Sequence, residues 1–496
     1  MAKDRVFQDI GPEGLEDWDA INWQTVLKRV QNLRRRIFRA TQNGQLNQVR
    51  SLTKLMLRSF SNLLLSVRKV TLENKGKRTP GIDRQVVSTP KSRVKLVREM
   101  LKYESWKVKP AKRVYIPKAD GKQRPLGILT IKNRVAQAVV KNALEPYCEA
   151  RFESHSYGFR PGRSCHDAIE QCWRRLNRHG KDRWVLEGDI KSAFDAISQE
   201  FIISELKYFP ARRLIKQWLK AGYVEEEIFH DTTDGVQQGG VISPVLANMA
   251  LDGMQHLTAS TGGFVRYADD FIVTARRMED LLVLKPRIEE WLLERGLILH
   301  PDKTKIVHIQ DGFDFLGFNI RQYRGTCLVK PQKKKVLALL QRIRLWLRQH
   351  PAVSTDVVVR YLNPILNGWA MYYRHAVSKQ TFDYVRHQVW MAIWKWCRRR
   401  HPNKAYRWIK AKYFAHHDGR DWRFHATLTI DTGERIREFL TDVSEIPIQR
   451  HIKVRGDASP DNPLLSEYWE QRASRKRRVA RCGRTTASYV HDLLEA

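Results

Sequence analysis

The chain has 496 residues and carries 89 Lys and Arg against 53 Asp and Glu, a formal charge of +36. An excess of that size excludes a neutral surface and predicts a polyanionic partner. Fifteen Trp and a recurrent apolar periodicity predict packed domains and exclude a disordered basic tail, although a generally adhesive, ribosome-associated basic protein shares this composition. Cys148, Cys165, Cys172, Cys327, Cys397 and Cys482 form no Cys-x-x-Cys pair, which disfavours a disulfide framework or a structural zinc site. No apolar run approaches the ~18 residues of a membrane span. Met1-Ala2-Lys3-Asp4-Arg5 lacks a signal peptide's apolar core. A cytoplasmic protein in a reducing setting, with no membrane partner, is expected.

Residues 1–20 are polar and predict a flexible tail. Trp23, Val26, Leu27, Val30, Leu33 and Ile37 recur at helical spacing. After the break at Gln42-Asn43-Gly44, so do Leu46, Val49, Leu52, Leu55, Met56, Phe60, Leu63 and Leu64. Two helices follow, with Arg34-Arg35-Arg36 on a polar face that is either solvated or in contact with RNA. Lys75-Gly76-Lys77-Arg78-Thr79-Pro80-Gly81 is a basic loop with turn chemistry. Two strand-like runs then bracket Asp120-Gly121, a favoured two-residue hairpin turn. Lys118 and Arg124 flank that turn and can converge on one anion such as a triphosphate; the same pair would also suit a solvated sheet edge. Ser156-Tyr157-Gly158-Phe159-Arg160-Pro161-Gly162-Arg163 reads equally as a contact to a nucleic-acid strand or as a structural loop.

From Trp184 an apolar run ends in Asp189, with Phe194 five residues later, and Gln238-Gly239-Gly240-Val241-Ile242-Ser243-Pro244 follows. Phe264 to Ala275 holds two β-prone runs around Asp269-Asp270, a hairpin with acids at its tip. Adjacent carboxylates repel each other. A divalent cation offsets that repulsion, because hard oxygen ligands suit Mg²⁺; a solvated turn does so too. Leu281, Leu282, Leu284, Ile288, Trp291 and Leu292 predict a helix under this sheet, and Lys303 and Lys305 come soon after. Phe313-Asp314-Phe315-Leu316-Gly317-Phe318 closes the region. From Lys330 to about Arg374 the pattern is helical, with Lys333-Lys334-Lys335 ahead of Val336, Leu339, Leu340 and Ile343. Trp394 to Tyr413 interleaves aromatics with cations, Arg398-Arg399-Arg400 among them. That mixture suits stacking and charge contact with nucleic acid, or a small core with a basic surface.

The order and spacing of these blocks, from about Trp23 to Asp461, resemble the group II intron reverse transcriptase/maturase proteins. The resemblance implies an α+β fold: a right-hand polymerase whose fingers and palm carry antiparallel sheet, then a helical thumb and a small basic DNA-binding domain. It divides the chain into a tail (1–20), an N-terminal helical extension (21–74), fingers (75–184), palm (185–325), thumb or maturase domain (326–390), DNA-binding domain (391–460) and an endonuclease remnant (461–496). Relatives with an endonuclease carry Cys pairs and clustered His. Ser474-Arg475-Lys476-Arg477-Arg478 and a lone Cys482 depart from that pattern, and no endonuclease is expected. The family usually has Pro beside the glutamine that Gln238 matches; Val236-Gln237 stands there instead.

The implied activity is RNA-directed DNA synthesis. Two Mg²⁺ ions about 3.5–4 Å apart clamp the attacking and leaving oxygens in such a reaction. The resemblance assigns them to Asp189 and Asp269, with Asp270 in support and the Ile190 carbonyl completing a shell, while Asp195 is structural. Lys118, Arg124 and Gln238 would hold the dNTP, Phe194 would lie beneath its sugar and exclude a 2′-hydroxyl, and Lys303, or failing it Lys305, would protonate the pyrophosphate. Nucleic-acid contacts fall to Arg34, Arg35, Arg160, Arg163, Lys333, Lys334, Arg398, Arg399 and Arg400. The implied partners are group II intron RNA in a ribonucleoprotein, an RNA template with a DNA primer, target DNA and dNTPs. A splicing-only maturase with a relic palm is one alternative; a bacterial reverse transcriptase of the retron or defence type is another. The intact polymerase residues speak against a relic, and the long N-terminal helices and the basic region after the thumb favour the intron type.

Overall fold

The structure is a computed structural model and describes residues 14–102, 106–117, 121, 123–429 and 435–482. Two compact units emerge. One holds residues up to 168, 182–306 and 454–466; the other holds 169–181, 307–453 and the stretch from 467 on.

In the first unit, the helix Trp23–Gln42 starts where Asn22 accepts from the Thr25 N–H at 3.1 Å, satisfying one of the donors a helix start leaves open. Its Val30 and Ile37 pack with Val49, Leu52 and Met56 of the helix Leu46–Arg58 and with Ala143. Ala143 belongs to Ile131–Glu149, a helix buried along nearly its whole length, as a central core helix must be. The tail expected over 1–20 needs correction: Leu15 and Trp18 are buried in the main core, and Arg98 donates to the Leu15 carbonyl at 2.8 Å.

β1 (Ala111–Pro117) and β2 (Gln123–Ile128) pair antiparallel, with Ile116 opposite Arg124. β3 (Trp184–Asp189) belongs to another sheet, whereas β4 (Tyr223–Glu225) and β5 (Ile228–His230) extend the first in the order β2-β1-β4-β5. The other sheet adds β6 (Gly262–Tyr267), β7 (Asp270–Ala275) and β8 (Lys305–His308) in the order β6-β7-β3-β8. Residues 263–266 of β6 and 271–275 of β7 are buried without alternation, the mark of strands covered on both faces. The helix Met278–Leu293 buries Leu281, Leu284, Ile288 and Leu292 in the same core.

In the second unit, β9 (Phe313–Phe315), β10 (Phe318–Tyr323) and β11 (Thr326–Pro331) form a sheet in the order β11-β10-β9. Helices Lys333–Gln349, Thr355–Tyr373 and Lys379–Arg400 follow. The Tyr372 and Tyr373 hydroxyls donate to the Leu316 and Gly317 carbonyls at 2.8 and 3.1 Å, which ties the second helix to the sheet. β12 (Phe414–His417), β13 (Arg420–Thr429) and β14 (Arg435–Phe439) form a last antiparallel sheet.

Three expected boundaries shift. A cut at 325/326 would split the β10–β11 hairpin. One at 390/391 falls inside Lys379–Arg400, whose buried seam of Phe382, Val385, Val389, Ile393 and Trp396 runs unbroken across it. Residues 454–466 belong with the first unit, so 460/461 is no division. Among the described residues no helix is long and apolar enough to cross a membrane.

Candidate active site

β3 and β7 pair so that Asp189, the last residue of β3, lies opposite Asp270, the first of β7. Tyr267 also faces Asp270, leaving Ala268-Asp269 as the hairpin turn, with Ala268 in the left-handed region at φ 57°. Strand pairing therefore sets Asp189 and Asp270 side by side, with Asp269 in the turn next to them. The Ile190 N–H donates to the Asp269 carbonyl at 3.4 Å. In extended backbone a residue's N–H and C=O point the same way, so the Ile190 carbonyl faces the Asp269 side.

The described cations offset these carboxylates only in part. Desolvation in the cleft, then the charges of Asp269 and Asp189, push Asp270 up to about 7. Asp269 is also raised, first by desolvation, with Arg124 and Lys303 opposing the shift. The Lys303 ammonium lies 2.5 Å from Asp189 Oδ2, and that bond raises its pKa. Lys305 is engaged elsewhere, 3.3 Å from Glu187 Oε1.

Among the described residues no three metal-ligating side chains form a finished metal cage. The donor set is all oxygen and carries excess negative charge. It fits an ion that takes one or two carboxylates and completes its shell with water and substrate phosphates, as Mg²⁺ does.

Of the residues expected at the nucleotide, Lys118 lies outside the described residues, as does Asp120 of the expected turn; Gly121 takes φ 82°, and the last recorded pair is Pro117 with Gln123. The others come together. Arg124 Nε donates to Gln238 Oε1 at 3.2 Å, and Gln238 Nε2 donates to Asp195 Oδ2 at 2.9 Å. The Gly127 N–H fixes the Gln238 carbonyl at 2.7 Å, joining β2 to the Gln238 loop. Phe194, half-buried, meets Phe159 edge-on at 6.1 Å. Phe194, Asp195 and Gln238 line one cavity of about 430 Å³.

Behind the acidic hairpin lies a layer that sequence reasoning missed. Arg266, fully buried, donates to Asn248 Oδ1 at 3.1 Å and to the Ala268 carbonyl at 3.3 Å, and faces Glu153 Oε1 at 3.5 Å. The Tyr157 N–H donates to the Arg266 carbonyl at 2.9 Å. Gly158 passes so close to the turn that a Cβ there would lie 2.4 Å from the Ala268 nitrogen. Gly188 meets the same demand inside β3, where a Cβ would strike the Phe271 ring at 2.2 Å. The available signal was an arginine inside an otherwise apolar strand, which must find a buried partner.

Several residues expected to touch nucleic acid serve the fold instead. Arg34 is not on a polar face: it pairs with Asp461 at 2.6 Å and Glu145 at 2.9 Å. Arg160 is buried, forked onto Glu149 at 2.9 and 3.0 Å and bonded to the Ser156 carbonyl at 3.0 Å. Arg163 donates to the Ser154 and Gly456 carbonyls, at 2.6 and 2.5 Å. Arg35 is half-buried. Arg400 lies over the Trp396 ring at 4.6 Å and donates to the Val353 carbonyl. Lys333, Lys334, Arg398 and Arg399 are exposed.

Comparison with known proteins matches residues 116–320 to the reverse transcriptase (RNA-dependent DNA polymerase) family, 18–100 to the N-terminal domain of reverse transcriptase, and 336–414 to the group II intron maturase-specific domain. Protein YkfC of Escherichia coli is 33% identical over 340 residues, covering 57% of this chain and 89% of YkfC. The chain belongs to the group II intron reverse transcriptase/maturase family. It is an RNA-directed DNA polymerase with a maturase domain. The group II intron-encoded protein LtrA of Lactococcus lactis is 29% identical over 344 residues; the match covers 55% of this reverse transcriptase and only 57% of LtrA. A telomerase structure from Candida albicans aligns over 62% of this chain and 67% of its own at 13% identity, with a TM-score of 0.36.

Proposed function

We propose that this reverse transcriptase extends a DNA primer on an RNA template by two-metal nucleotidyl transfer, and that it binds a group II intron RNA to assist splicing and target-primed retrohoming. The observation that carries the chemistry is the register placing Asp189 opposite Asp270, with Asp269 in the turn beside them. Two Mg²⁺ ions, when bound, would supply the Lewis acid that lowers the primer hydroxyl's pKa and offsets charge on the leaving pyrophosphate. Asp189 and Asp269 are the principal ligands, with Asp270 and the Ile190 carbonyl beside them.

The chain's own groups do the rest. Arg124, held by Gln238, presents a guanidinium to the triphosphate, where spreading negative charge makes a fixed cation most effective. Gln238 is braced by Asp195 and so keeps one position as nucleotides turn over. Phe194 closes the space below the sugar. Lys303, released from Asp189, protonates the departing pyrophosphate. Exposed Lys333, Lys334, Arg398 and Arg399 hold nucleic-acid phosphates. On this reading the protein works in the cytoplasm, with intron RNA and target DNA as partners.

The test is primer extension by purified protein on an RNA template with dNTPs and Mg²⁺, beside Asp269→Ala. Wild-type DNA synthesis, abolished in the variant while RNA affinity stays within about twofold, supports the reading; a twofold change is under about 0.5 kcal/mol. No synthesis by either protein, with tight salt-dependent RNA binding, would leave a splicing-only maturase.

A further inference from the structure

The second unit contains a cavity of about 560 Å³ between the helix Lys379–Arg400 and the sheet β12–β14. Its floor is apolar, made of buried Leu366, Val389, Ile393 and Leu440. Trp390 and Trp422, both half-buried, stand at its side and meet edge-on, with centroids 5.9 Å apart. Trp422 sits at φ 64°, a backbone state that is strained for a bulky residue. Packing against Trp394 at 5.4 Å and Phe414 at 5.7 Å holds it there.

Cations ring the mouth. Arg386 is exposed on the helix surface, and Arg420 is 42% exposed. Of the carboxylates at the mouth, Asp442 accepts from Arg420 at 2.7 Å, and Asp421 lies 3.0 Å from the His416 ring nitrogen. The volume and apolar lining are those of a ligand pocket. Flat aromatic faces set beside guanidinium groups fit a planar base attached to a phosphate. A purely apolar ligand would have no use for the arginines, and a free phosphate no use for the floor.

We propose that this cavity takes a single splayed-out base of a single-stranded nucleic acid, with Trp390 and Trp422 against the base and Arg386 and Arg420 on its phosphate. The inference rests on the reading that the protein binds nucleic acid, and names a subsite for it. RNA and DNA share the chemistry required.

The test uses the full chain and two short single strands, one RNA and one DNA, each carrying iodouracil, which crosslinks to aromatic side chains under light. Crosslinks mapped to Trp390 or Trp422 are expected with one strand, and which strand gives them identifies the source. Trp390→Ala and Arg386→Glu should each weaken binding of that strand about tenfold, in line with the loss of one stacked base or one phosphate contact. Trp390→Phe should restore most of the affinity. Arg386 lies on an exposed helix face, so its variant answers even if Trp390→Ala folds poorly. Crosslinks only outside these two tryptophans, or wild-type affinity in both disruptive variants, would overturn the subsite. Wild-type primer extension is measured on the same preparation: protein that extends and binds but fails these tests loses the subsite alone, whereas protein that neither extends nor binds loses the underlying reading as well.

Discussion

Lys303 is paired with Asp189, one of the proposed metal ligands. Its ammonium sits 2.5 Å from Asp189 Oδ2 and holds its proton more firmly because of it. With Asp189 as the proposed metal ligand, the ion has to displace that contact, and the lysine would compete with it before assisting the leaving group. Lys303→Ala should therefore lower the Mg²⁺ concentration giving half-maximal extension and cut the maximal rate by about 10²-fold, the lower range for a lost general acid. A slower variant with an unchanged metal midpoint would rule out the competition. Phe194 makes a separate prediction. Phe194→Val opens the space beneath the sugar and should raise incorporation of ribonucleotides relative to deoxynucleotides; single-nucleotide insertion with each would reveal it, and unchanged selectivity would remove Phe194 from that role. The sequence pointed to these residues because the blocks around Asp189, Gln238 and Asp269-Asp270 stand in the order of the family's motifs. Arg34 was not legible in this way. Its partner Asp461 lies 427 positions away, so a helical wheel placed on a polar face a side chain that tertiary structure buries in ion pairs.

At the scale of the element, the acidic hairpin is held by a polar layer it does not itself encode. Glu153 accepts from the Gly253 and Gln255 N–H groups at 3.1 and 2.9 Å, and faces Arg266. Asp252 accepts the Glu153 N–H at 3.1 Å. Burial, then the charge of Glu153, pushes Asp252 up to about 6, against the opposing charges of Arg266 and Arg160. A carboxyl raised in the folded state favours folding while protonated, so its contribution is whole below the unfolded pKa near 4 and is lost as pH rises through about 6. Asp252→Asn keeps the acceptor and removes the charge. It should gain up to ~3 kcal/mol of stability at pH 8 and about half that at pH 5, read from denaturant melts at both values. An equal gain at the two pH values would mean the charge is not responsible. Element types along the chain were readable from their period, but their ends were less so. Nothing local marks 390/391, because the buried seam from Phe382 to Trp396 keeps its helical spacing through it. Nor does composition show that Thr326–Pro331 turns back to pair with β10.

For the whole molecule, a charge of +36 overstates what a polyanion can reach, since Arg34, Arg160 and Arg266 are bound to carboxylates inside the fold. The charge that matters is the charge the fold leaves exposed at some expense to itself. Lys333, Lys334 and Lys335 are all exposed in the first turn of Lys333–Gln349, with no acidic residue there. Cations at a helix N-terminus oppose the macrodipole, each by about 0.3–1 kcal/mol. On the proposed reading, RNA phosphates offset that local cost. Replacing all three with Gln should leave the protein as stable or slightly more so, while weakening RNA binding and flattening its dependence on log salt concentration by about two to three, near one for each phosphate contact removed. Filter binding across a salt series gives both the affinity and the slope. An unchanged slope would mean the lysines meet solvent alone. A flattened slope together with greater stability would show a helix start kept unfavourable because RNA phosphates complete it.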